Sequence, residues 1–92
     1  MKLRLTEEAL LDLKSITNYF GAISTQTLSN IRVDIAQAFE FIRTHPKAGL
    51  NINAEGTQRV ITRKYSFIIV YDTYPTELEI IGIYRYQNRD YS

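Results

Sequence analysis

The apolar residues of this chain change their spacing once along its length, and that change separates helices from sheet. Ahead of Pro46 they recur every three or four positions. Leu10, Leu13, Ile16 and Phe20 form one stripe, and Leu28, Ile31, Ile35, Ala38, Phe39 and Ile42 a second. From Thr57 onward the apolar residues gather into short runs, Phe67-Ile68-Ile69-Val70-Tyr71 and Leu78-Glu79-Ile80-Ile81-Gly82-Ile83-Tyr84. Such β-branched runs, apolar on both faces, suit interior strands covered on both sides or wrapped by other elements.

The stop and start signals agree with this division. Leu3 and Leu5 alternate with Lys2 and Arg4, which predicts a short opening strand. Thr6 is a good N-cap, followed by Glu7 and Glu8 where the helix dipole favours anions. Gly21 is the expected stop of the first helix, and Ser24 or Thr25 can cap the second. Pro46 ends the second helix, because the residue before a proline avoids the helical region. Two helices joined by a short turn make a helical hairpin. Tyr74-Pro75-Thr76-Glu77 is a turn between the apolar strands. The expected fold is α+β, with a short N-terminal strand, a helical hairpin and then a three-stranded antiparallel sheet. Residues 1–92 are expected to form a single domain, without repeats or linkers.

The 92 residues contain no cysteine, so neither a disulfide framework nor a thiolate metal site is expected. That composition suits a reducing cytoplasm. The opening Met1-Lys2-Leu3-Arg4-Leu5 lacks the apolar core of a signal peptide, and the longest apolar runs are too short to span a bilayer. A net charge of +1 carries no global nucleic-acid signal. Arg59, Arg63 and Lys64 precede the central strand, Asp72, Glu77 and Glu79 surround the next turn, and Arg85 and Arg89 follow. Either one end of the sheet is positive and the other negative, or the charges are a mixed, solubilising surface. With no metal or cofactor expected, the available chemistry is recognition, or phosphate chemistry carried by fixed positive charge.

Several pieces recur in one order. Leu3 and Leu5 open the chain, Ala9, Asp12, Leu13, Ile16 and Tyr19 lie on helix one, and Phe39, Ile42 and Pro46-Lys47-Ala48-Gly49 end helix two. Arg59 precedes the strand Tyr65-Ser66-Phe67-Ile68-Ile69-Val70-Tyr71, and Arg89-Asp90-Tyr91 lies at the end. In this order and spacing the chain resembles the toxins of ParE/RelE-type toxin–antitoxin modules, and ParE more than RelE. Such toxins often carry histidine-glycine ahead of the final Arg-Asp, where this chain has Tyr86-Gln87.

The resemblance implies two activities on one fold, which the fold does not separate. RelE-like toxins cut messenger RNA on the ribosome, using cations between helix two and the central strands and a C-terminal tyrosine or histidine. Here Lys47 is the only lysine between helix two and Arg59, and apolar Phe67 or Ile68 stands where such enzymes place an arginine. The single histidine, His45, suits a partner for the last helix carbonyls better than a base. A reduced RNase set would comprise Arg59, Arg63, Arg85, Tyr86 and Arg89. ParE-like toxins trap DNA gyrase on cleaved DNA, which requires a surface with anchors rather than an acid and a base. Tyrosine and arginine are common anchors. The target-binding candidates are Arg59, Arg63, Tyr65, Arg85, Tyr86, Arg89 and Tyr91. Tyr65, Tyr71 and Tyr84 also suit packing in or beside strands, whereas Tyr86 and Tyr91 lie past the last apolar run.

The resemblance also implies a cognate ParD-like antitoxin with a tail that folds on the toxin. Ile23, Val33 and Phe41, off the main stripe of helix two and its approach, are the antitoxin-binding candidates. The expectation is thus a cytoplasmic toxin, neutralised by antitoxin and acting on gyrase, with a ribosome-dependent RNase as the alternative. No membrane association and no sequence-specific nucleic-acid binding by the toxin alone are expected.

Overall fold

The computed structural model describes residues 1–85. Its elements are β1 (Lys2–Leu5), α1 (Glu7–Ile23), α2 (Thr25–Thr44), β2 (Leu50–Asn51), β3 (Gln58–Ile61), β4 (Phe67–Thr73) and β5 (Glu77–Arg85). The strands form one five-stranded sheet in the order β1-β5-β4-β3-β2. The expected three-stranded antiparallel sheet is therefore corrected to a mixed one. The opening strand adds to it in parallel beside β5, with Leu3 opposite Leu78 and Leu5 opposite Ile80. The two-residue β2 extends the other edge, pairing antiparallel with β3. A parallel neighbour requires a long crossover, and the chain between β1 and β5 supplies it.

Both helices pack on one face of the sheet. Ala9, Ile16, Ile31, Ile35, Ala38 and Ile42 meet Phe67, Ile69, Tyr71, Leu78, Ile80 and Ile83 in one core. Leu10, expected on that stripe, is exposed, and the buried line runs instead through Ala9, Leu13, Ile16 and Phe20. On β5, Ile80 pairs with Tyr71 and Gly82 with Val70, so Ile81 is the extra residue of a bulge. Even-numbered Leu78 and Ile80 face the helices before the bulge, and odd-numbered Ile83 after it. That inversion is why β5 reads as apolar on both faces. Of the two coverings expected for β4, helices cover one face only. On the other face Ile68 and Val70 are shielded by cross-strand neighbours, including Ile61 and Tyr84.

Thr6 caps α1, its hydroxyl accepting from the Ala9 N–H at 3.1 Å. The expected stop at Gly21 is corrected, since α1 continues to Ile23. Gly21 instead lets the helices approach, because a Cβ there would lie 3.3 Å from Leu28 Cδ2. Ser24 ends one helix and begins the next. Its N–H donates to the Phe20 carbonyl at 2.9 Å, and its Oγ accepts from the Thr27 N–H at 3.1 Å. Among the described residues no helix is long and apolar enough to cross a membrane.

Candidate functional site

The turn after β3 is held by a buried acid on α2. Asp34 is 2% exposed and accepts from the backbone N–H groups of Lys64 at 3.1 Å and Tyr65 at 2.8 Å. Burial opposes its charge, yet hydrogen bonds from the Thr62 side chain and these two N–H groups prevail, holding its carboxyl below the ordinary carboxylate range. Thr62 closes the turn from within, its N–H donating to Phe67 O at 2.8 Å and its Oγ1 accepting from the Phe67 N–H at 2.9 Å. Ser66 takes a left-handed φ of 58° to complete the turn. Arg63 and Lys64 are thereby presented to solvent from a fixed backbone, while the Tyr65 side chain packs against the core.

Beside this turn, α2 and β3 enclose a groove of about 520 Å³. Ala38 and Phe41 form its α2 wall together with Asp34 and Gln37, and Val60, Ile61, Thr62 and Arg63 form the strand side. Phe41 and Val33 are exposed, and Val33 lies next along α2 beside Asp34, Lys64 and Tyr65. Ile23 is exposed too, but at the end of α1 and outside this groove. The three antitoxin-binding candidates are therefore all accessible, but Phe41 alone lines the groove, with Val33 beside the turn. His45 is corrected in detail. Its backbone N–H caps the Phe41 carbonyl at 2.8 Å, whereas its ring stacks on Phe41 and its Nδ1 meets Thr44 Oγ1 at 2.8 Å.

A second cleft, of about 470 Å³, lies between α1 and the end of β5. There the Arg85 guanidinium lies 5.6 Å from the Tyr19 ring centre and 5.0 Å from that of Phe20. Asp12 lines the same cleft and accepts from the Ile83 N–H at 2.9 Å, so this acid serves the edge of the sheet.

The cations suggested by the sequence do not converge. Arg85 pairs with Phe67 and shares the helix-bearing face of the sheet. Arg59 pairs with Val70, whose side chain alternates to the opposite face. Arg63 belongs to the turn. Tyr86, Arg89 and Tyr91 lie outside the described residues. Of the two charge readings left open, the mixed one describes the acidic end of the sheet, which carries its own cation. Arg4 pairs with Glu77 at 2.9 Å and Glu79 at 2.6 Å. Hydrogen bonding to Arg4 holds the Glu77 carboxyl below its usual range. Arg63 and Lys64 in the turn and Arg85 at the end of β5 lie toward the other end of the sheet without meeting at one point, and Arg59 lies midway along it.

Asp34 is the residue that sequence reasoning missed, and Asp12 enters that reasoning only as part of the resemblance, with no role. Asp34 gave a signal, an acid three positions after Ile31 on an otherwise apolar stripe. The role of Asp12 was illegible, since nothing local distinguishes an acid that caps a distant strand from a solvated one.

The chain matches no family model and no curated protein sequence. Among solved structures it is similar to a chain of the chromosomal ParDE TA system from P. aeruginosa, with a TM-score of 0.78 and 20% sequence identity. The alignment covers 92% of this chain and 95% of that one, so the two share a fold.

Proposed function

We propose that this protein is the toxin of a type II toxin–antitoxin module, of the ParE type, held inactive by a ParD-like antitoxin. The observation that carries the reading is the fold likeness to a ParDE system over nearly the whole of both chains. The order of residues from Leu3 to Arg89-Asp90-Tyr91 adds independent support. DNA gyrase is the proposed target, with the cytoplasm as the place of action and residues 1–92 as one domain.

The geometry favours a binding toxin over a nuclease. Cleavage of RNA through its 2′-hydroxyl requires a proton acceptor, a proton donor and cations converging on one phosphate. Arg59 and Arg85 lie on opposite faces of the sheet, and beside Arg59 the central strand presents Ile68 and Val70. A partner-binding surface has no such requirement. It needs anchors held rigidly, and the turn bearing Arg63 is so held by Asp34.

The test is a supercoiling reaction with purified protein, gyrase, ATP and relaxed plasmid, scored also for linear DNA after detergent and protease. Linear DNA that rises with the protein is the expected result. If folded protein leaves gyrase unaffected while messenger RNA is cut during translation, the gyrase assignment fails. Truncation before Arg89 addresses Arg89 and Tyr91 directly, with undiminished growth arrest by a stable truncation excluding these two.

A further inference from the structure

The end of the sheet opposite the Asp34 turn carries a polar cleft that the proposed function does not use. It measures about 440 Å³ and is lined by Lys47, Asn51, Glu55, Gly56, Gln58 and Thr73. Its walls are two loops, residues 45–49 after α2 and residues 52–57 between β2 and β3. Both are held by their own bonds. In the first, the Ala48 N–H donates to His45 O at 3.1 Å, and Tyr71 Oη donates to the Pro46 carbonyl at 3.0 Å. In the second, Asn53 Oδ1 accepts from the N–H groups of Glu55 and Thr57, each at 3.0 Å, and the Ile52 N–H donates to Thr57 O at 2.9 Å. Gly56 takes a left-handed φ of 91°, with open space where a side chain would stand, so a ligand can approach its backbone. Walls fixed in this way lose little further freedom on binding.

The floor is sheet. Gln58 is 7% exposed, and its Nε2 donates to Gly49 O at 2.9 Å, which leaves Oε1 as a positioned acceptor. Thr73 Oγ1 is buried with no hydrogen-bond partner among the described residues. A buried hydroxyl in that state is costly, and rotation about χ1 toward a polar group in the cleft relieves it. Charge is divided across the opening. Lys47 belongs to one wall and Glu55 to the other, and among the described residues neither forms an ion pair.

We infer that this cleft binds a small zwitterion, a free amino acid carrying one ammonium and one carboxylate group, between Glu55 and Lys47. Lys47 takes the carboxylate, and Glu55 takes the ammonium with Gln58 Oε1 as its second acceptor. The two opposite charges select the class. An anion alone meets the Glu55 carboxylate, and a cation alone meets the Lys47 ammonium, so each gains one attraction and suffers one repulsion. A zwitterion gains both attractions. Among the described residues lining the cleft there is no aromatic or large aliphatic side chain, so the ligand is compact and polar.

The test titrates the whole protein with glycine, β-alanine and γ-aminobutyrate, which differ in charge separation, at constant pH and ionic strength. Acetate and methylammonium are the single-charge controls. Backbone and side-chain amide shifts report binding. The expected result is a saturable shift at Gly56 and at the Gln58 side-chain amide with at least one zwitterion, and binding of both controls about tenfold weaker or less. Lys47→Met and Glu55→Gln are exposed substitutions that leave the fold intact, and each should weaken zwitterion binding about tenfold. Thr73→Val removes an unpaired hydroxyl, so it should weaken binding without lowering the denaturation midpoint. A merely structural threonine would show the reverse, a lower midpoint with unchanged affinity. Equal binding of acetate or methylammonium, affinity unchanged in both Lys47→Met and Glu55→Gln, or no saturable shift at tens of millimolar zwitterion would overturn the proposal.

Discussion

Removing the Asp34 carboxylate should cost more stability than any exposed substitution in this chain. The Asp34→Ala variant leaves the Lys64 and Tyr65 N–H groups without their acceptor. Each hydrogen bond to a charged group is worth about 1.5–3 kcal/mol, but relief of the buried charge offsets part of the sum. The net expectation is a loss of about 3 kcal/mol, and about 2 kcal/mol for Asp34→Asn, whose amide still accepts one N–H. Against a typical total of about 5–15 kcal/mol this is large. With a urea slope of about 1–1.5 kcal/mol/M, the Asp34→Ala midpoint should fall by about 2–3 M in circular dichroism. The pH dependence has a fixed sign. The folded pKa of Asp34 is depressed below its ordinary 3.8, so the contribution of the charged form is complete above that value and is lost as pH falls through the lower folded value. The difference between wild type and Asp34→Asn should thus be constant from about pH 5 to pH 8 and shrink only below about pH 4. A loss under about 1 kcal/mol for Asp34→Ala, or a difference that shrinks already near neutrality, would refute the latch.

Other expectations concern single contacts. In Gly49→Ala the new methyl would sit 2.5 Å from Tyr71 Oη and 2.9 Å from the Arg59 carbonyl, and overpacking of about 1–3 kcal/mol should lower the thermal midpoint. Tyr71→Phe in that background should restore part of the loss, whereas in the wild type it should destabilise by removing the bond to Pro46. Asp12→Ala strands the Ile83 N–H and should cost about 1–3 kcal/mol, with faster amide exchange at Ile83 as its specific signature. Ser24→Ala should cost about 1 kcal/mol by removing the α2 cap, read from chemical denaturation; an effect confined to the far end of α2 would contradict this.

Helices and strands were legible because their periods differ, and caps fixed most of their boundaries. The miss at Gly21 has a physical cause, since a glycine that terminates a helix and one that lets two helices approach read alike until Leu28 is in place. β1 was legible as a strand but not as the parallel neighbour of β5, because its partner lies more than seventy residues away. The face of each cation was illegible for a different reason. The bulge at Ile81 inverts the inward and outward positions of β5, so counting along the sequence from Ile80 puts Arg85 on the wrong side.

That inversion decides how the cations can act. Without the bulge, residue 85 would face away from the helices, on the side that carries Arg59, and two guanidinium groups could share a face. With it, Arg85 lies over Tyr19 and Phe20, and the opposite face holds apolar Ile61 and Ile68 beside Arg59. What the fold concentrates instead is a rigid turn beside the groove between α2 and β3. Asp34 supports both, since its bonds fix the backbone carrying Arg63 and its partner Thr62 also lines the groove. The ordering entropy of that turn is lost on folding rather than on any association it takes part in. A chain with so small a net charge can in this way display a locally cationic, preorganised surface without a general attraction to nucleic acid.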